Sequence, residues 1–86
     1  MMGRQTLTLL DRATGRRVTV EVDPSWTIEE LVQELRRRGI VGPGETIAFF
    51  KPDRDGEAPI NSTAVQDLLT LQNRGIIPII DRQVID

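Results

Sequence analysis

Apolar and polar residues alternate at the start of the chain. Leu7 and Leu9 are set between threonines in Thr6–Leu10, and Val18, Val20 and Val22 alternate with polar residues in Arg17–Val22. A period of two in segments rich in β-branched residues predicts two half-buried strands. Between them, Asp11–Arg16 carries Gly15, which is free to take positive φ, so the pair reads as an antiparallel hairpin. The period then changes. Pro24 offers no ladder donor and ends the second strand, and Thr27 with Glu30 forms a capping box. Ile28, Leu31, Val32 and Leu35 fall at helical spacing and give one apolar face. Trp26, just before the cap, is placed to pack on Leu31 as a hydrophobic staple. Arg36, Arg37 and Arg38 suit the negative end of the helix dipole, and Gly39 supplies a left-handed stop.

The second half is punctuated by turns. Gly42-Pro43-Gly44 reads as a loop and Thr46–Phe50 as a third strand with Ile47 and Phe49 on one face. Pro52–Gly56 is a turn with Asp55-Gly56 at its apex, and Ala58-Pro59-Ile60 is a short edge strand, where proline is tolerated. Thr63–Leu71 predicts a short helical turn under the sheet, and Ile76–Ile80 the last strand. Alternation there assigns Ile77 and Ile79 to the inner face and Ile76 and Ile80 to the other. Pro78 removes a donor from this strand, so either the strand bulges or that position faces no acceptor. The predicted class is α+β: a mixed four- to five-stranded sheet, one main helix packed across it, and the last strand beside the first. The domain is read as residues 1–81, with 82–86 a tail.

Composition narrows the chemistry. The chain has 86 residues and a net charge of −2, with no cysteine and no histidine. Such a length supports one small domain. Disulfides, thiolate sites, imidazole ligands and a Ser-His triad are excluded. No constellation of acid, base and nucleophile stands out, so the reading is of a protein that is not an enzyme and takes neither cofactor nor metal. Asp53, Asp55 and Glu57 around Gly56 lack the spacing of a calcium loop and read as a solvated turn. The balanced charge argues against nucleic acid, and Arg36-Arg37-Arg38 has an ordinary role in compensating the helix end. No apolar run approaches the roughly 18 residues of a membrane span, and the start has no signal-type apolar region. The expectation is therefore a cytoplasmic protein without membrane insertion.

The run Val18-Thr19-Val20-Glu21-Val22-Asp23-Pro24-Ser25-Trp26-Thr27-Ile28-Glu29-Glu30 resembles the second strand and helix start of ubiquitin-like proteins. Gly39-Ile40, Ile47-Ala48-Phe49 and the last strand extend the resemblance over essentially the whole chain. It implies the β-grasp fold. The departures bear on function. Conjugated and sulfur-carrying members of the family end in Gly-Gly, whereas this chain ends Val84-Ile85-Asp86, and Lys51 is its only lysine. The family's aliphatic recognition patch falls on Arg12 or Ala13, Ala48 and Ile80, of which only Ile80 is a large aliphatic residue.

The resemblance therefore implies docking to protein partners, with Ile80, Ile76, Ala48, Phe50 and Trp26 as the candidate surface. Ile76 and Ile80 form either an exposed patch with Phe50 or a surface packed beneath the tail. Trp26 is either only a staple or also an interface anchor. Ten arginines to one lysine suggests a GC-rich bacterial genome. The chain is similar in size and class to ubiquitin-like accessory proteins of bacterial type VII secretion. The alternative is a covalent modifier activated at Asp86 by a dedicated E1-like enzyme.

Overall fold

The computed structural model describes residues 3–84. Strand β1 (Gln5–Asp11) and strand β2 (Arg16–Val22) are followed by helix α1 (Ile28–Arg37), strand β3 (Glu45–Asp53) and strand β4 (Gly56–Pro59). Helix α2 (Val65–Asn73) and strand β5 (Ile79–Val84) complete the chain. The five strands form one mixed sheet in the order β2-β1-β5-β3-β4. β5 runs parallel to β1 and antiparallel to β3, so the last strand occupies the centre. The chain is α+β, with two helices rather than the one main helix expected: α2 is nine residues long against ten for α1.

The strand pattern sets the core. Leu7, Leu9, Val20 and Val22 are buried together with Phe49 from β3, and α1 covers them with Leu31 and Leu35. Val18, Ile28, Val32 and Ile47 pack against this cluster from its margins, and Val65, Leu68 and Leu69 of α2 fill one side. The capping box forms as read: the Glu30 amide donates to Thr27 Oγ1 (3.2 Å) and the Thr27 amide donates to Glu30 Oε1 (3.0 Å). The stop at α1 is a full Schellman motif. Gly39 takes φ 77° and donates to the Arg36 carbonyl, while the Ile40 amide donates to that of Leu35. Gly75 ends α2 in the same way, with φ 81° and bonds from Gly75 and Ile76 to Gln72 and Leu71. A helix terminator thus stands where the sequence shows a glycine before a strand.

β5 corrects the reading of the last strand. Pro78 lies just before it, so no ladder donor is lost, and its carbonyl accepts from the Leu10 amide at 2.9 Å. Ile79 pairs with Phe50 and Ile80 with Phe49, which puts Ile80 on the core face, 0% exposed. The inner and outer assignments of Ile79 and Ile80 are reversed, and Ile76 and Ile77 lie in the loop before the strand. A run of five residues, four of them isoleucine, offers no polar position to set the phase, and the strand starts only after the proline. β5 also continues past Asp81 to Val84, which pairs with Glu45, so the ladder covers positions read as tail.

Two polar devices complete the sheet around this central strand. β1 pairs with β5 only at Leu10 and Asp11, which leaves its earlier half open on that side. Gln72 of α2 closes the gap: its Oε1 accepts from the Thr8 amide (2.7 Å) and its Nε2 donates to the Thr6 carbonyl (2.9 Å), as a neighbouring strand would. On the core face, Arg82 of β5 donates to Asp11 Oδ2 at 3.0 Å and lies 3.5 Å from Glu45 Oε1. Asp11, 6% exposed, also accepts from the Ala13 amide. Its hydrogen bond holds the Arg82 pKa above the ordinary guanidinium value.

Gln72→Ala strands two main-chain groups and is expected to cost about 1–3 kcal/mol in urea denaturation. Arg82→Ala leaves the Asp11 charge without its cation in a nearly closed site, with an expected loss of about 3 kcal/mol by the same measurement.

Candidate functional site

Pairing parity sorts every strand residue to one face of the sheet. The face away from α1 carries Leu10 from β1, Arg17, Thr19 and Glu21 from β2, Ala48 and Phe50 from β3, and Ile79 and Asp81 from β5. Its centre is a charged and aromatic cluster. The Arg12 guanidinium lies 4.6 Å from the centroid of the Phe50 ring, donates to Asp81 Oδ2 at 3.0 Å and pairs with Glu57. Ile79 is 6% exposed yet does not belong to the main core, as expected of an outer residue in register with Phe50. Ala48, opposite Asp81, is exposed beside it.

Two Asp-Arg dipeptides build both sides of the sheet. Asp11 ends β1 with Arg12 next to it in the turn, Asp81-Arg82 lies in β5, and successive side chains alternate faces. Asp11 therefore meets Arg82 on the inner face, and Arg12 meets Asp81 on the outer one. The inner pair is held in the core and the outer pair is open to water. Arg12 and Asp81 side chains are 38% and 22% exposed.

Of the residues singled out from sequence, Ala48 and Phe50 share this outer face. Ile80 lies on the opposite face, within the core. Ile76 is half-buried in the loop ahead of β5, its amide bonded to Leu71. Trp26 is half-buried at the start of α1, packed against the core, with Arg4 stacked 5.4 Å from its ring centroid. Its carbonyl accepts from the Val65 amide, which ties the starts of the two helices together. Asp86, the position read for conjugation, lies outside the described residues. Arg12, read only as a turn residue at a patch position, is the centre of the cluster. Its partners Asp81 and Glu57 lie 69 and 45 positions away, and no local motif signals them.

The helix-end arginines are already engaged. Arg37 and Arg38 both bond Glu34, and Arg36 donates to the Glu45 carbonyl at 2.9 Å. Arg36, Arg37 and Glu34 line a shallow depression of about 650 Å³ beside Trp26, and each is already bonded within the chain. Hydrogen bonds from Arg37 and then Arg38 hold the Glu34 pKa down, from its ordinary 4.5 to about 2. Among the described residues, no group of three or more carboxylates is placed to hold a metal ion, and no helix is long and apolar enough to cross a membrane. No protein-family model matches the chain, and no curated protein matches it either.

The depressed Glu34 pKa fixes a pH window. Its carboxylate is stabilised more in the folded chain than in the unfolded one, so this contribution is present above pH 4.5 and is lost as pH falls toward about 2. Thermal melts across that interval are expected to show a fall in Tm that is shallower in Glu34→Gln.

Proposed function

We propose that the chain is a ubiquitin-like β-grasp protein without catalytic activity, which docks to a protein partner in a bacterial pathway through the outer face of its sheet. The observation that carries this reading is the Arg12–Phe50 stack between Asp81 and Glu57. Arginine and aromatic side chains are the groups in which interface energy concentrates, and here they lie over a small apolar base of Ile79 and Leu10. The central placement of β5 beside β1 and the capped α1 support the β-grasp assignment.

The chemistry of the face also bears on the partner. The positions resembling the family's aliphatic patch bear Arg12 and Ala48, and Ile80 is turned inward. A partner for this face offers a flat or aromatic group to Phe50 and a carboxylate or carbonyl to Arg12. Such a partner differs from those that insert side chains into an aliphatic patch. The exposed Ala48 leaves space beside the stack for close backbone approach.

A photo-crosslinking residue in place of Ala48 tests the reading in living cells, with one in place of Gln33 on α1 as comparison. The expected result is a discrete adduct from position 48 alone, identified by mass spectrometry. Binding of the identified protein should fall about 30-fold or more in Phe50→Ala and in Arg12→Glu, with unchanged circular dichroism. Equal capture from both positions would remove the outer face from consideration. An adduct formed through the terminal carboxyl by an E1-like enzyme and ATP would make the chain a covalent modifier instead.

A further inference from the structure

The sheet manages its open edges unequally. β4 is four residues long and ends in Pro59, which cannot donate to a further strand. The open half of β1 is filled by the Gln72 side chain, and at the start of β3 the Glu45 carbonyl is covered by Arg36. β2 has no such guard along its seven residues. Its main-chain groups can be assigned by parity. The Thr8, Leu10 and Arg12 amides point toward β5 and α2, so Leu7, Leu9 and Asp11 face β2 and bond Val20, Val18 and Arg16. The amides and carbonyls of Arg17, Thr19 and Glu21 therefore point out of the sheet, and no described residue bonds them.

Of the same three residues, Arg17 and Glu21 carry opposite charges on either side of Thr19, an order that reads the same from both copies of an antiparallel pair. We infer that β2 is a self-association edge: two copies pair antiparallel about a two-fold axis through Thr19, continuing one sheet into the other. Thr19 then faces Thr19, and Arg17 of each copy faces Glu21 of the other. These are the outward-pointing residues, so each pairing exchanges main-chain hydrogen bonds across the seam. On the inner face Val18 meets Val20.

Charge selects this arrangement. Parallel pairing in register would oppose Arg17 to Arg17 and Glu21 to Glu21, and like charges directly opposite are unfavourable. The charges that repel an arbitrary strand thus become complementary to a second copy, in the isologous form that two-fold symmetry requires. Glu21 is also held on its face: its Oε1 accepts from Thr6 Oγ1 at 2.5 Å, which leaves the other oxygen for an arginine. Arg17 has no ion-pair partner among the described residues.

One strand pair buries less than a standard interface, so the expected dimer is weak. Sedimentation velocity of the whole chain between about 10 μM and 1 mM is the measurement. The wild-type chain should shift toward dimer across this range. Arg17→Glu and Glu21→Arg should each weaken association by about tenfold or more. An equimolar mixture of the two should recover it, since each mixed pair has two opposite-charge contacts. Thr19→Pro should remain monomeric with an unchanged circular dichroism spectrum, because its amide faces solvent in the monomer. A wild-type chain that stays monomeric at 1 mM, or a dimer indifferent to the charge swaps, overturns the inference. Arg12 and Phe50 lie outside this seam and their variants should dimerise normally, so the docking surface and the self-association edge fail or stand separately.

Discussion

The chain's last strand has to occupy the middle of its sheet, and the rest of the structure is arranged around that constraint. β5 lies between β1 and β3, so neither the hairpin β1–β2 nor the pair β3–β4 has a neighbour on its inner side until β5 arrives. Its ladder with β3 covers six residue pairs, but its ladder with β1 covers only Leu10 and Asp11. That imbalance makes α2 more than a connector. Gln72 supplies the donor and acceptor that β1 lacks, and the Schellman turn at Gly75 redirects the chain toward Pro78 and the centre of the sheet. Pairing of the two ends of the chain also means that cooperative burial waits on contacts of high sequence separation.

Burial decides what similar ion pairs do. Asp11 with Arg82 and Arg12 with Asp81 are built from the same residue types at neighbouring positions, at the end of β1 and within β5. The inner pair is enclosed among core residues, where an unmatched charge is costly, so it fixes the position of β5. The outer pair is open to solvent, where an ion pair contributes little to stability. Its consequence is to hold a guanidinium over an aromatic ring on an exposed face. Such a group is ordered in advance, and a partner that uses it loses less side-chain freedom on binding.

Local signals in the sequence were reliable where several agreed. The alternation in β1 and β2, the Thr27–Glu30 box and the Leu31–Leu35 face all appear as read, because each depends on neighbours within a turn or a hairpin. The errors cluster where the signal is uniform or distant. Ile76–Ile80 has no polar residue to reveal its phase, so alternation places Ile80 on the outer face, whereas it lies in the core. Asp81–Val84 is polar enough to resemble a tail, yet it pairs with β3, and Arg82 within it meets Asp11 of β1 and Glu45 of β3. Of the candidate surface, Ala48 and Phe50 were legible through the alternation of β3. Arg12 and its carboxylates were not, being brought together from two separate strands and the turn after β1.

By itself the sequence determined the class of the fold, the helix α1 with its cap and stop, the first hairpin, and the absence of thiol and imidazole chemistry. These follow from composition and from periods of two and 3.6 residues, which are local physical facts. The tertiary structure alone decided which face each central-strand side chain occupies, which charges are enclosed, and which strand edge is left unguarded. Those properties depend on register between segments some 70 residues apart, and a shift of one residue would exchange every inward side chain of β5 for an outward one.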